Sequence, residues 1–286
     1  MRPKFVVAIL FVSALAFSPA VTAQTVKLKG SDTLLPLAER WAQVYEKKHA
    51  GARLMVAGGG SASGIEALLK GDVNIAEASR PLNDTEKEAF KKLGKIPVDV
   101  VVASDGVEIL VNSSNSISAL TMDQVKAIFT GTITNWKEVG GPDGKINLYG
   151  RDRNSGTHAF LQEHALHGDA YAPGIIEFPA NAAMIAAVAK DMNGICYAGL
   201  SSGKALKHLL IKADSHAAGI EPSLQNIKSS KYPLSRQLHW YLSSRPAGPV
   251  EELCLWVLSP EAQAIAENLG YIPISAETRT AITARL

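Results

Sequence analysis

Three short stretches of this 286-residue chain set hydroxyl and glycine residues where an extended run gives way to a helical one. They are Gly30-Ser31-Asp32-Thr33, Gly58-Gly59-Gly60-Ser61-Ala62-Ser63-Gly64 and Arg151-Asp152-Arg153-Asn154-Ser155-Gly156-Thr157. The chemistry such turns offer is anion binding. The first turn of a helix leaves backbone N–H groups unpaired and carries partial positive charge. Glycine lets the main chain approach a ligand closely, and hydroxyls add donors that rotate to suit. Arg151 adds a planar fork for two oxygens. A single turn of this kind is usually only a helix cap; three in one chain, one beside an arginine, point to a ligand. None ends in the Lys-Ser/Thr of a phosphate-binding P-loop, and the glycine spacing is not a dinucleotide fingerprint, so nucleotides are disfavoured.

Catalytic readings of the same region are weaker. His158, His164 and His167 follow Ser155 on a helical stretch, and His164 and His167 share a face. A metal pair would need a third ligand that the spacing does not supply. Ser155 and His158 suggest a nucleophile and its base, but a serine at a helix start spends its oxygen on backbone N–H groups. The expectation is therefore a binding protein and not an enzyme, with no metal and no cofactor. Trp41, Trp136, Trp240 and Trp256 read as core or hinge packing.

The elements that position these turns alternate between strand and helix. Val26 to Lys29 and Arg53 to Ala57 read as strands, and Val73 to Ala78 as a third. Between them, Leu34 to Lys48 carries apolar residues at helical spacing, and Gly64 to Lys70 reads as a helix ended by Gly71. Ser63 with Glu66, Thr85 with Glu88, and Thr121 with Gln124 form capping-box patterns. This βαβαβ order implies a parallel sheet with right-handed crossovers. Further on, Ile146 to Tyr149 and Gly194 to Gly199 read as strands, Ser155 to His167 as a helix, and Ser259-Pro260 as the start of another. Two apolar runs connect the halves. Val98 to Val111, interrupted by Asp105-Gly106, carries the chain out of one domain, and Leu238 to Leu242 returns it. The division expected is 24–106 plus 236–286 for the first α/β domain and 107–235 for the second.

Arg2 and Lys4 precede an apolar run from Phe5 to Phe17, and Val21-Thr22-Ala23 supplies small residues for cleavage before Gln24. Residues 1–23 thus read as a signal peptide, too short in its apolar part for a span of about 20 residues. Removing Arg2 and Lys4 from the 29 basic residues leaves as many basic as the 27 acidic ones. A neutral mature chain excludes nucleic acid as a partner on charge grounds. Cys196 and Cys254 lie far apart in sequence and read as buried thiols in preference to a disulfide.

The stretches GSDTLLPLAERW, GGGSASGI, VNIAEASRPL, IFTGTITNWKEVGG and RDRNSGT together resemble the periplasmic phosphate-binding components of ABC importers, within the type II solute-binding protein superfamily. The resemblance runs from Val26 to about Ile274 with its motifs in family order. It implies a two-domain periplasmic-binding-protein fold, closing on one dehydrated phosphate in a cleft at a two-segment hinge. It implies ligand contacts at Thr33, the Leu34 N–H, Ser61, Arg151, Ser155, the Gly156 N–H and Thr157. It also implies a periplasmic monomer whose partners are inorganic phosphate and the permease and ATPase subunits of an inner-membrane ABC importer. One position departs from the common pattern. Many members end the third strand with an aspartate that accepts the proton of hydrogen phosphate, and this chain has Arg80 there, which joins the candidate site. Arginine accepts no hydrogen bond, so discrimination against sulfate needs another acceptor, Asp32 or Asp105. The alternatives at this point are another tetrahedral oxyanion, or a secreted phosphate-handling protein without an importer. A competing reading of Arg80 is an ion pair with Asp84 or Glu86.

Overall fold

The computed structural model describes residues 25–203 and 205–286; the signal-peptide reading lies outside them. The first half begins with β1 (Thr25–Gly30), α1 (Leu35–Lys48), β2 (Arg53–Ala57), α2 (Ser61–Lys70), β3 (Ile75–Ala78) and α3 (Asp84–Lys92). A 14-residue strand, β4 (Val98–Val111), leads away from it. There follow β5 (Ala119–Thr121), α4 (Met122–Phe129), a 3-10 turn (Trp136–Val139), β6 (Asn147–Arg151), α5 (Gly156–His164), β7 (Ile176–Phe178), α6 (Asn181–Val188) and β8 (Gly194–Gly199). Next come the short strands β9 (Lys207–His208) and β10 (Leu210–Lys212), and helix α7 (Leu224–Lys228). The chain then returns through β11 (Ser235–Leu242) and ends in α8 (Pro249–Val257), α9 (Pro260–Asn268) and α10 (Ala276–Thr283).

Nine strands form one sheet in the order β2-β1-β3-β11-β4-β8-β6-β7, with β9 also pairing β4, while β5 and β10 pair in parallel as a separate two-stranded sheet. β1 is parallel to both β2 and β3, as the βαβαβ reading requires. The crossing strand changes partner midway. From Val98 to Gly106 it pairs antiparallel with β11, and from Val107 onward with β8. Two hydrophobic cores follow the same change. Trp41, Val100, Val102, Trp240 and Leu253 pack in one cluster, and Val107, Ile109, Trp136, Phe160 and Tyr197 in another. The result is two α/β units sharing two antiparallel crossing strands. Trp256 is only partly buried, packed against the first core.

Several helix starts differ from the sequence expectation. α2 begins at Ser61, because Gly60 takes the N-cap at φ 88° and ψ 153°, a conformation glycine adopts without a Cβ penalty. Ser63 does not cap; its hydroxyl donates to the Gly60 carbonyl. The box at α3 is Asn83 with Glu86 in place of Thr85 with Glu88, because Glu86 faces back toward the loop and is held there by Arg80. The third strand starts at Ile75, and the helix after Ser155 stops at His164. The Thr121–Gln124 box and the Ser259-Pro260 start form as expected, and both cysteines are buried free thiols.

Candidate functional site

Three helix N-termini meet at the crossing strands: α1 after Thr33, α2 at Ser61 and α5 after Ser155. The parallel strands β1 and β3, and β6 in the other unit, end at this place, where ligands of open α/β sheets bind. Thr33 Oγ1 and Thr157 Oγ1 lie 3.2 Å apart although 124 residues separate them. Ser61 Oγ accepts the Ser79 N–H at 3.1 Å and lies 3.4 Å from the Ser79 hydroxyl. Gly156 occupies the first position of α5, where its N–H has no helical acceptor. All these residues are buried.

α5 approaches so closely that a Cβ on Gly156 would stand 2.3 Å from Ser61 Oγ and 2.6 Å from Ser79 Oγ. The Ala62 N–H crosses to the Asn154 carbonyl at 3.0 Å. Ser155 caps α5 by accepting the His158 N–H. The His158 ring lies with Nδ1 2.8 Å from the Arg151 carbonyl, and burial holds its pKa below the ordinary histidine value. Neutral and facing a carbonyl, His158 donates through Nδ1 to the Arg151 carbonyl. This bond positions the Arg151 backbone.

Arg151 is buried, and protein oxygens take four of its five guanidinium donors. Nε donates to Phe178 O at 3.1 Å, Nη1 to Asn181 Oδ1 at 2.5 Å, and Nη2 to Pro179 O at 2.8 Å and Asp32 Oδ2 at 2.7 Å. The last bond joins the two units, and Asp32 Oδ1 also accepts the Gly59 N–H. Two other expected residues are engaged away from the hydroxyl cluster. Both terminal nitrogens of Arg80 donate to Glu86, each at 2.7 Å, so the ion-pair reading describes this side chain. The Leu34 N–H donates to Ser31 O at 3.0 Å within the turn.

Ser79 and Arg236, both outside the expected site, stand in its middle. Arg236, on β11, donates through Nη1 to Thr157 Oγ1 (3.0 Å) and Ser79 O (3.2 Å). Its Nη2 donates to Thr33 Oγ1 (3.2 Å) and Asp105 Oδ2 (3.0 Å). Asp105 is the cross-strand partner of Arg236 in the register of β4 with β11, and its Oδ1 accepts the Leu200 N–H. Asp105 was a candidate from its place in the sequence. Ser79 and Arg236 were not, although an arginine opening the apolar return run was a signal. The arrangement concentrates rotatable hydroxyls, helix N-termini and a guanidinium away from solvent, which suits an oxyanion.

A family model described as a PBP superfamily domain matches residues 17–265. The phosphate-binding protein PstS of Pseudomonas aeruginosa (strain PAO1) is 34% identical over 266 residues, covering 87% of this chain and 82% of its own. The protein of the same name from Staphylococcus aureus (strain USA300) is 29% identical, with 87% and 78% covered. Among solved structures, a substrate-binding protein of Clostridium perfringens, assigned to phosphate ABC transport and holding bound phosphate, superposes with a TM-score of 0.80. It is 25% identical, with 88% of this chain and 100% of that chain covered. An ABC-type phosphate transport receptor of Vibrio cholerae gives a TM-score of 0.70 at 28% identity, covering 87% and 100%.

Proposed function

This chain belongs to the PBP superfamily, and on that premise we propose that it captures inorganic phosphate between its two domains and delivers it to an ABC importer. The observation that carries the reading is the meeting of Thr33 and Thr157, from opposite domains, at 3.2 Å. Each hydroxyl stands at a helix N-terminus, so closing the two units brings donors and partial positive charge to one point from both sides. Phosphate is the anion named for its relatives. Thr33, Ser61, Ser155, Gly156 and Thr157 line the site in this reading, with Arg151 at its edge.

The domain division in this reading is 24–106 plus 236–286 and 107–235; the change of partner along β4 between Gly106 and Val107 supports its first boundary. The mature protein works in the periplasm in this reading, on the strength of the charged start and apolar run ahead of Gln24; the monomeric state is what the family resemblance implies. The permease and ATPase are separate chains. There is no hydrolytic turnover, because Ser155 is occupied as a cap and His158 as a support for Arg151.

Calorimetry with phosphate, arsenate, sulfate and molybdate tests the ligand, and small-angle scattering tests closure. One phosphate bound per chain with compaction is expected. No heat with phosphate and an unchanged scattering profile would overturn the proposal, while sulfate alone binding would move the reading to another oxyanion. Sustained release from a chromogenic phosphate ester, lost in Ser155→Ala, would make the protein an enzyme.

A further inference from the structure

Building on that reading of the cleft, we infer that Arg236 is the cation that meets the bound anion, with Asp105 holding it in aim. Arg151, in turn, serves as the latch between the domains.

The donor inventories separate the two arginines. A guanidinium has five N–H donors in a fixed fork. Three of the four used by Arg151 go to Phe178 O, Pro179 O and Asn181 Oδ1, in or beside α6, and the fourth goes to the Asp32 carboxylate. Those acceptors are two backbone carbonyls, a carboxylate and the Asn181 amide oxygen, none of which has a hydrogen to pass on to a ligand, although the Asn181 Nδ2 beside them is a buried donor without a partner among the described residues. Arg236 is built differently. Two of its donors rest on the Thr33 and Thr157 hydroxyls, which can turn and donate to an anion while leaving the arginine hydrogens to the same anion. Its Nε is buried with no partner among the described residues, although the side chain is only 2% exposed. A buried donor left unpaired costs free energy, and an arriving oxyanion would relieve that cost.

Position favours Arg236 as well. It lies on a crossing strand, in contact with Thr33 and Ser79 from the first domain and Thr157 from the second. Phe160 of α5 lies beside the guanidinium, 5.4 Å from Cζ to the ring centroid, and Asp105 holds Nη2 at 3.0 Å. These contacts set the plane of the fork before a ligand arrives, which limits the ordering cost of binding. Asp105 spends one oxygen on Arg236 and the other on the Leu200 N–H, so its role is to position the cation.

The test uses the mature chain and inorganic phosphate. In proton–nitrogen correlation spectra, the Arg236 Nε–H signal, assigned by its loss in Arg236→Lys, should shift on phosphate addition. The Arg151 Nε–H, bonded to Phe178 O, should move far less. The double variant Arg236→Gln with Asp105→Asn removes both charges without leaving either unpaired. It should lose about a hundredfold or more in phosphate affinity, within the range for removing one side of a buried charge pair. Failure of the wild-type chain to bind phosphate would reject the capture reading itself. Wild-type binding with a motionless Arg236 signal would overturn the assignment of Arg236, as would affinity within about threefold in a folded double variant. Should the double variant not fold, the wild-type spectra alone decide.

Discussion

Arg151 and Asp32 are 119 residues apart in the chain, yet Nη2 of one donates to Oδ2 of the other at 2.7 Å. Their side chains are 2% and 11% exposed. One sits at the end of β6 and the other in the turn after β1, so the bond exists only while the two domains are together. Removing one partner of a pair sheltered from water costs more than removing one of an exposed pair, because the other charge is left unpaired. Such a bond acts on dissociation, because it forms after encounter and must break before release. Asp32→Asn keeps the shape and the acceptor for the Gly59 N–H but removes the charge. Phosphate should leave the variant about tenfold or more faster, with a nearly unchanged association rate, as read by stopped-flow displacement. Equal release rates would mean that the pair does not hold the closed state.

Gly156 is where closure has the least room. A methyl group there would press on Ser61 Oγ and Ser79 Oγ at 2.3 and 2.6 Å, and tightly packed interiors do not absorb an added carbon cheaply. The clash lies between domains and not within one, so the folded units should tolerate it. Gly156→Ala should lower phosphate affinity by about a hundredfold, with a ligand-free melting temperature close to wild type. Scattering on the variant should show little compaction with phosphate. Full compaction at wild-type affinity would mean that α5 does not approach Ser61 and Ser79 in the closed protein.

Arg80 gives the opposite dissection. Its bidentate bond to Glu86 also steadies the Asn83 cap of α3, because Glu86 Oε2 accepts the Asn83 N–H. Breaking a largely buried pair leaves Glu86 without its partner. Arg80→Ala should therefore cost about 1–3 kcal/mol of stability and change phosphate affinity by less than about threefold. A loss of binding at unchanged stability would return Arg80 to the site.

Much of this was legible in the sequence for a physical reason. The glycine and hydroxyl turns, the alternation of strand and helix, and the two apolar crossings depend on residues close together in the chain. What was not legible is pairing between distant segments. Arg236 reads locally as a polar residue opening an apolar strand; only the register of β11 with β4 sets it against Asp105. Arg151 beside Ser155 reads as a ligand fork, and only the packing of α6 and the first turn shows its donors already engaged. The box at α3 slipped by two residues because the sequence offers Asn83/Glu86 and Thr85/Glu88 in the same pattern. The choice between them falls to Arg80, which lies outside the helix.

Glu77 carries a prediction that does not depend on the ligand. It faces Trp240 across β3 and β11 and is fully buried. Its Oε1 accepts the Trp240 indole N–H at 3.0 Å, and Oε2 has no partner among the described residues. Burial pushes its pKa from 4.5 up to about 8, with the charges of Asp32 and Glu39 acting in the same direction and the Trp240 bond opposing. The folded protein thus holds this proton through a range in which the unfolded chain has released it. A raised carboxyl pKa gives stability that is complete below about 4.5 and declines as pH rises, until it is lost above about 8. Across that window each step of one in pH removes about 1.4 kcal/mol, so the full loss is on the order of a few kcal/mol. Glu77→Gln keeps a carbonyl oxygen for Trp240 and abolishes the titration. Urea unfolding at several pH values should show the variant losing less stability between pH 5 and pH 9 than the wild type. Glu108, also pushed up to about 8 by burial, leaves a shared slope in both proteins, so the informative quantity is the gap between the curves. That gap should move in favour of the variant by about 2–4 kcal/mol from pH 5 to pH 9. Parallel curves would show that Glu77 is ionised in the folded protein at neutral pH, and that a partner outside the bonds described here meets its Oε2.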